Sequence, residues 1–446
     1  PTPLADLPGD AGRARRFIDE HHEKLRYVHA WNQWIVREGN RWRFDESGAV
    51  YRLALDTGLR VMAEAFQTQG TEERKTAIRD AEAWGDAGKL RSMLDLARHD
   101  LRVAVSHSEV DADPWLLGVQ NGVVDLCTGE LIDTDALVTK SAGAPFDPEA
   151  TCPRWEKFLC EILPDPELRE FVRLAIGSTI AGEIRDAHFI FCHGVGRNGK
   201  STMLETLQAV LGEYAGRAGA DLIGLSRNGR DPEGQIAELV GRRMIVGSET
   251  AENCRLNENL IKDLTGGDTL RGRRLYQAAF SFRPQCTLWL AGNHRPTISG
   301  NDDGIWRRVR LVPFTQNFEG DDADPNLKNT LAAERTGVLT WIVRACLDWQ
   351  ASGISIPEAV RAAVAQYRED EDILGDFIEA ETEEIPGYST PHADLFAAYE
   401  RWAIHSGVKF RLSSKGLAKR LRERGWIEGR TNSIKCLWQA VRLRDS

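Results

Sequence analysis

Along this chain the apolar positions change period several times, and each change marks a different kind of element. Residues 13 to 30 carry apolar positions at helical spacing and predict an amphipathic helix. Trp31 to Val36 and Arg41 to Phe44, on either side of Arg37-Glu38-Gly39-Asn40, predict two short strands about a tight turn. Residues 51 to 107 predict polar helices. Between 115 and 150 short apolar pieces are broken by Asn121-Gly122, Thr128-Gly129 and Ala144-Pro145, a pattern of loops and small strands. Pro153 and Pro166 stand where prolines open helices. From 188 onward come continuous apolar runs, His188 to Cys192, Arg243 to Gly247, Thr287 to Ala291 and Val309 to Pro313, with helical or loop stretches between them. Such runs suit a mainly parallel sheet covered on both faces, so the expected class is α/β.

The first run breaks into Gly194-Val195-Gly196-Arg197-Asn198-Gly199-Lys200-Ser201-Thr202, which fits G-x-x-x-x-G-K-[ST]. Glycines let backbone N–H groups close around phosphates, a lysine reaches the terminal phosphates and the serine hydroxyl ligates Mg²⁺. Met203, Leu204, Leu207, Val210 and Leu211 continue at helical spacing to Gly212, so a helix aims its positive end at the same place. Gly194, Gly196, Asn198, Gly199, Lys200, Ser201 and Thr202 are the expected ATP-binding residues.

An ATPase needs a carboxylate at the end of a neighbouring strand. Glu249, after Met244 to Ser248, is the candidate for water activation and, with Ser201, for Mg²⁺. Asn293, after Leu288 to Gly292, is placed to sense the γ-phosphate, although Gly-Asn after a strand is also an ordinary turn. Arg307 and Arg308 precede the last apolar run. Read alone they are equally an arginine finger or a surface pair on a strand edge. Arg271, Arg273 and Arg274, interleaved with Gly272 and followed by Tyr276, have the composition of a grip on a sugar-phosphate backbone, or of a solvated basic turn.

Composition narrows the setting. At 446 residues the chain has room for two to four domains. No apolar run approaches the roughly 18 residues of a membrane span, and Pro1 to Asp6 lacks a basic-then-apolar export pattern. Eight cysteines without a C-x-x-C pair argue against a zinc ribbon or a disulfide framework. The expectation is a soluble cytoplasmic protein, in a bacterial host if phage or plasmid encoded. The 57 Lys and Arg against 67 Asp and Glu give a net charge of −10, which hides an asymmetry. From Lys409 to the end, eleven basic residues face three acids. There Ser413 or Ser414 caps a helix whose Leu417 and Leu421 face inward while Lys415, Lys419 and Arg422 stay wet. Two strands follow, Trp426-Ile427 and Lys435 to Leu443. Helix plus hairpin suggests a winged helix that docks on duplex DNA, or one used for protein contacts.

Taken in order, these segments resemble the superfamily 3 DNA helicases, specifically the phage, plasmid and poxvirus primase-helicase family. The shared sequence is a phosphate loop, a strand ending in an acid, Leu264-Thr265-Gly266-Gly267-Asp268 before a DNA-binding hairpin, a strand ending in Asn293, and Arg307-Arg308 before a strand ending in Pro313-Phe314. Asp113-Pro114-Trp115, Asn121 to Leu126, Thr128 to Leu131 and Trp155 to Leu159 resemble the region preceding that family's helicase core.

The resemblance implies an AAA+-like ATPase working as a homohexameric ring on single-stranded and forked DNA, typically 3′ to 5′, with a primase or polymerase as partner. It implies Lys200, Glu249, Asn293 and Arg308, supported by Arg307, as catalytic residues, with Arg271, Arg273 and Arg274 lining the pore. The chain departs from the family in having Ser248 where many members carry a first acid of a pair. It also lacks an evident acidic triad for primase chemistry. The organisation expected is an N-terminal α+β domain at 1–110, a helical collar at 111–184, the ATPase at 185–350 and the winged helix at 351–446. The alternative activity is an ATP-switched initiator or loader that does not unwind.

Overall fold

The computed structural model describes residues 9–39, 41–224, 232–248, 255–273, 279–298, 303–319, 324–408, 411–430 and 436–444. Its centre is a five-stranded, wholly parallel sheet. Across the sheet the strands lie in the order Val309–Pro313, Phe189–His193, Thr287–Gly292, Met244–Ser248 and Ala215–Ala218. Side chains alternate between the faces, as a strand period of two requires. Ile190, Cys192, Trp289 and Val312 enter a core shared with the helices Pro153–Ile162, Pro166–Ile180, Lys200–Leu211 and Arg335–Ser352. Phe189, Phe191, Leu288, Leu290 and Leu311 face the opposite way, against Ile261, Leu264, Trp306 and Tyr367. Four of the five strands are the four apolar runs of the sequence. The fifth, Ala215–Ala218, reads Ala-Gly-Arg-Ala and carries no apolar run to betray it.

The register sets the site. His193 is level with Gly292 on one side and Pro313 on the other, and Ser248 is level with Ala291. The C-terminal ends of four strands therefore share one edge of the sheet, where ligands of parallel α/β folds bind.

Before this core, the helices Gly9–His21, Ala49–Gln67, Thr71–Glu82 and Ala87–Ala97 accompany a small sheet ordered Arg41–Phe44, Gln33–Glu38, Leu25–Val28, Ala104–Val105. The helix expected over 13 to 30 stops at His21. Leu25–Val28 instead pairs antiparallel with Gln33–Val36, Leu25 lying opposite Val36. Both periods fit Leu25, Tyr27 and Val28, and cross-strand burial decides between them. Three short strands, Leu116–Val119, Gly122–Asp125 and Glu130–Ile132, follow; their Leu117, Val119 and Val124 join the core of the large sheet.

Helix Glu358–Asp370 leads to a C-terminal unit with its own core of Leu374, Phe377, Leu395, Tyr399, Leu417, Leu421 and Trp438. Helices Ile373–Glu381, His392–His405 and Ser414–Glu423 surround a sheet ordered Thr382–Pro391, Leu437–Leu443, Glu428–Gly429. Ser413, not Ser414, caps the basic helix, accepting from the Gly416 amide at 3.2 Å. The short strand falls at Glu428–Gly429 rather than Trp426-Ile427. Thr382–Pro391 reads Thr-Glu-Glu-Ile-Pro-Gly-Tyr-Ser-Thr-Pro, without the apolar alternation that signals a strand. Among the described residues no helix is long and apolar enough to cross a membrane.

Candidate functional site

The loop between Phe189–His193 and Lys200–Leu211 is held in shape by its glycines and by the last strand. A Cβ on Gly194 would overlap the Phe314 carbonyl and lie 2.7 Å from Asn198 Nδ2. Gly199 has φ +86°, and a Cβ there would overlap Ile162 Cγ2 and lie 3.3 Å from Phe158 Cε2. Arg197 adopts φ +62° without being glycine. Its carbonyl accepts from the Phe318 amide at 2.8 Å, and the Phe314 amide donates to the His193 carbonyl at 2.7 Å, so the turn is stitched to the chain leaving Val309–Pro313.

Inside this turn lies Lys200, 5% exposed. Its ammonium donates to the Gly194 carbonyl (2.5 Å), Asn198 Oδ1 (3.0 Å) and Asn293 Oδ1 (3.3 Å). Burial pushes its pKa below the ordinary lysine value. An anion brought to the loop reverses that trend, because an opposite charge favours the ammonium form. Asn198, 2% exposed, also donates to the Phe314 carbonyl at 3.4 Å. Ser201 is exposed at the first turn of the helix and Gly196 is exposed in the loop. Beside the loop opens a pocket of 370 Å³ whose apolar walls are Phe158, Ile162, Phe318 and Leu327. Thr202 and Gly199 line the side next to the loop, and Arg154, Glu161, Arg197 and Asp324 its polar parts.

Lys200 and Asn293 are thus brought together by the common edge of the sheet. Glu249 lies outside the described residues; the strand before it ends level with Ala291. Arg307 and Arg308 fall at the opposite edge. Val309 pairs with Phe189, four residues before His193. At about 3.3 Å per residue the arginines stand roughly 15 Å or more from the loop of their own chain. Arg307 is exposed, whereas Arg308 is half-buried and donates to Thr265 Oγ1 (2.9 Å) and the Gly304 carbonyl (2.5 Å).

Leu270–Gly272 and Phe280–Phe282 form an antiparallel hairpin, with Arg271 opposite Ser281. Arg271 and Arg273 are exposed, and both approach the Glu233 carboxylate, at 3.6 and 3.5 Å. Arg274 and Tyr276 lie outside the described residues. On the C-terminal helix Lys415, Lys419 and Arg422 are all exposed, and Arg422 pairs with Glu428 at 2.6 Å. Among the described residues no group of three or more His, Cys, Asp or Glu is placed to hold a metal ion by itself.

Two groups carry no sequence signal. Arg243, 1% exposed, lies over the Tyr214 ring and donates to the carbonyls of Pro114 (2.5 Å) and Leu116 (3.4 Å), tying the start of the Met244–Ser248 strand to the segment before the core. Burial lowers its pKa. Tyr367, also buried, donates its hydroxyl to the Pro296 carbonyl just beyond Asn293. The carbonyls they donate to are more than 70 residues distant in the chain, where no local pattern reaches.

Two families match the chain: "D5 N terminal like" over residues 14–164, and a "Family of unknown function (DUF5906)" over residues 192–308. Among curated proteins it is 27% identical over 293 residues to a "Putative helicase" of Acanthamoeba polyphaga mimivirus, covering 60% of this chain and 30% of that protein. It is 26% identical over 264 residues to a "Putative helicase" of Frog virus 3, covering 55% and 27%. A "Putative primase" of African swine fever virus is 25% identical over 330 residues, covering 66% and 34%. The chain thus spans about a third of the length of the curated relatives it matches. In shape it is similar to the apo C-terminal region of NrS-1, with a TM-score of 0.54 and 9% identity over 98% of this chain and 100% of that one, which is a likeness of fold alone. The D5-type match and these relatives show what the chain is similar to, viral proteins that carry the names putative helicase and putative primase.

Proposed function

We propose that this protein is an ATP-dependent DNA helicase of the superfamily 3 type, acting in replication of a virus, phage or related element. The observation that carries the reading is the meeting of Lys200 and Asn293 at one sheet edge, inside a glycine-shaped loop, in a chain whose relatives bear helicase names. The strand order, with the loop strand flanked by the strands ending in Pro313 and Gly292, is in keeping with an AAA+ type ATPase.

The cradle suits a triphosphate. Its walls would be displaced by a Cβ at Gly194 or Gly199, and among the described residues its buried ammonium donates to neutral oxygens. ATP would lie with its phosphates on the loop and its base in the pocket walled by Phe158, Ile162, Phe318 and Leu327. Mg²⁺ would be held by the Ser201 hydroxyl and Glu249, and supplies charge neutralisation to the phosphates. Lys200 gives up the Gly194 carbonyl for a phosphate oxygen, Glu249 orients the attacking water, and Asn293 reports whether the γ-phosphate is present. Arg307 and Arg308, at the far edge, are too distant to serve their own loop, so the reading assigns them to a neighbouring protomer of a ring. Exposed Arg271 and Arg273, and the basic helix with Lys415, Lys419 and Arg422, offer contacts to a phosphate backbone.

DNA-stimulated ATP hydrolysis and strand displacement on a forked substrate test this against Lys200→Ala. Equal activity of the two proteins rejects it. Hydrolysis with assembly but an intact fork would instead favour an ATP-switched initiator or loader.

A further inference from the structure

We infer that Arg295, Tyr367 and Asp370 form a clamp that positions Asn293 over Lys200, making the helix Glu358–Asp370 part of the nucleotide-responsive machinery. This rests on the ATP reading above and assigns to it residues that neither the motif order nor the relatives' names supply.

Asn293 directly follows the strand Thr287–Gly292, and residues 293–298 belong to no helix or named strand. It is exposed, and its side chain must stay within reach of the Lys200 ammonium to sense anything there. The residues just after it are pinned one by one. The Arg295 guanidinium pairs with Asp370 at 2.6 Å and lies 5.1 Å over the Tyr367 ring. The Tyr367 hydroxyl donates to the Pro296 carbonyl. The Thr297 carbonyl accepts from the Leu256 amide at 3.0 Å. Asp370 is further fixed by Gln366, 2.8 Å away. Three of these four anchors come from a single helix.

Tyr367 also packs edge-on against Trp306 at 5.1 Å and lies 6.4 Å from Phe191. One buried ring thus touches the segment after Asn293, the strand entering the glycine-lysine loop and the residue before Arg307. Arg368 adds an ion pair to Asp303 at 2.7 Å. Directly after this same end the chain reaches Asp372, whose carboxylate accepts from the Gly375 amide at 3.1 Å and pairs with Arg424 beside the basic helix. The last turns of the helix are therefore fastened to both the arginine-bearing and the asparagine-bearing segments, and the C-terminal unit begins directly after them. Arg295, Tyr367 and Asp370 are positioning residues: they act through Asn293 and touch no nucleotide.

The experiment uses the full chain, with steady-state ATP hydrolysis in saturating DNA beside nucleotide affinity from a fluorescent ATP analogue. Arg295→Ala and Asp370→Asn are expected to lower kcat by about tenfold to hundredfold, the scale of an ångström-level misplacement, with affinity held within about threefold. Tyr367→Phe keeps the ring packing and removes only the hydroxyl, and is expected to give a smaller loss in kcat with an unchanged melting temperature. The exchanged pair Arg295→Asp with Asp370→Arg should recover part of what Arg295→Asp alone loses. Unchanged kcat in Arg295→Ala overturns the clamp, as does an exchanged pair no better than the single variant. So does an affinity loss equal to the kcat loss, which would mark a merely structural effect on the loop. A wild type that turns over no ATP instead overturns the nucleotide reading, and the clamp with it.

Discussion

Replacing Gly199 by alanine should separate the loop's shape from its chemistry. At φ +86° an L side chain costs about 1–2 kcal/mol. The new methyl would also overlap Ile162 Cγ2, a β-branched side chain 1% exposed that has little room to turn away. Overpacking of that kind costs roughly 1–3 kcal/mol. Taking about 3 kcal/mol together, the ratio of native to rearranged loop falls by about a hundredfold, and nucleotide affinity falls by up to that factor. Gly196 is the internal control. A Cβ there meets nothing within 4 Å, so Gly196→Ala should melt as wild type does in the absence of nucleotide, within about 0.5 kcal/mol. Titration with a fluorescent ATP analogue at fixed Mg²⁺ reads the first effect and thermal melting without nucleotide the second. Gly199→Ala binding within threefold of wild type, or both alanines lowering the melting temperature alike, would refute the geometric argument.

Three further outcomes are expected. His188, 8% exposed just before the loop strand, has its pKa pushed by burial from 6.5 down to about 4. The unfolded chain therefore binds the extra proton first, and folding stability falls as pH drops from about 6.5 to about 4, by roughly 3 kcal/mol; His188→Phe should flatten that acid limb in pH-dependent denaturation, and an unchanged limb would place its cause elsewhere. Mixing Lys200→Ala with an Arg307→Ala, Arg308→Ala double variant should restore hydrolysis at mixed interfaces. No recovery from mutants that still assemble would count against a shared site. Glu233→Gln frees Arg271 and Arg273 from their acid and should tighten single-stranded DNA binding at low salt by about 1 kcal/mol or less, with the gain vanishing at high salt; a gain that salt leaves untouched would deny its electrostatic origin.

Much of the central sheet was legible because buried parallel strands are apolar on both faces, and four of them announce themselves that way. Ala215–Ala218 was not, since an edge strand of small residues has no hydrophobic signature. The helix expected over 13 to 30 ends early because Leu25, Tyr27 and Val28 satisfy either period, and only a partner strand breaks the tie. At the candidate site, the loop could be read from glycine and lysine spacing, but the separation of Arg307 and Arg308 from it could not. That follows from strand register, a long-range property. Arg243 and Tyr367 were invisible for the same reason: a buried arginine or tyrosine is recognised by the carbonyls it meets, which are contributed by distant segments.

The placement of Arg307 and Arg308 beyond the far edge of the sheet has a kinetic corollary. If each protomer lends its guanidinium and borrows another, turnover per chain is no constant of the chain: it should climb with protein concentration, collapse on dilution below the assembly threshold, and recover when DNA gathers the copies onto one strand. Regulation by abundance is then inherent in the strand register, with no inhibitor required.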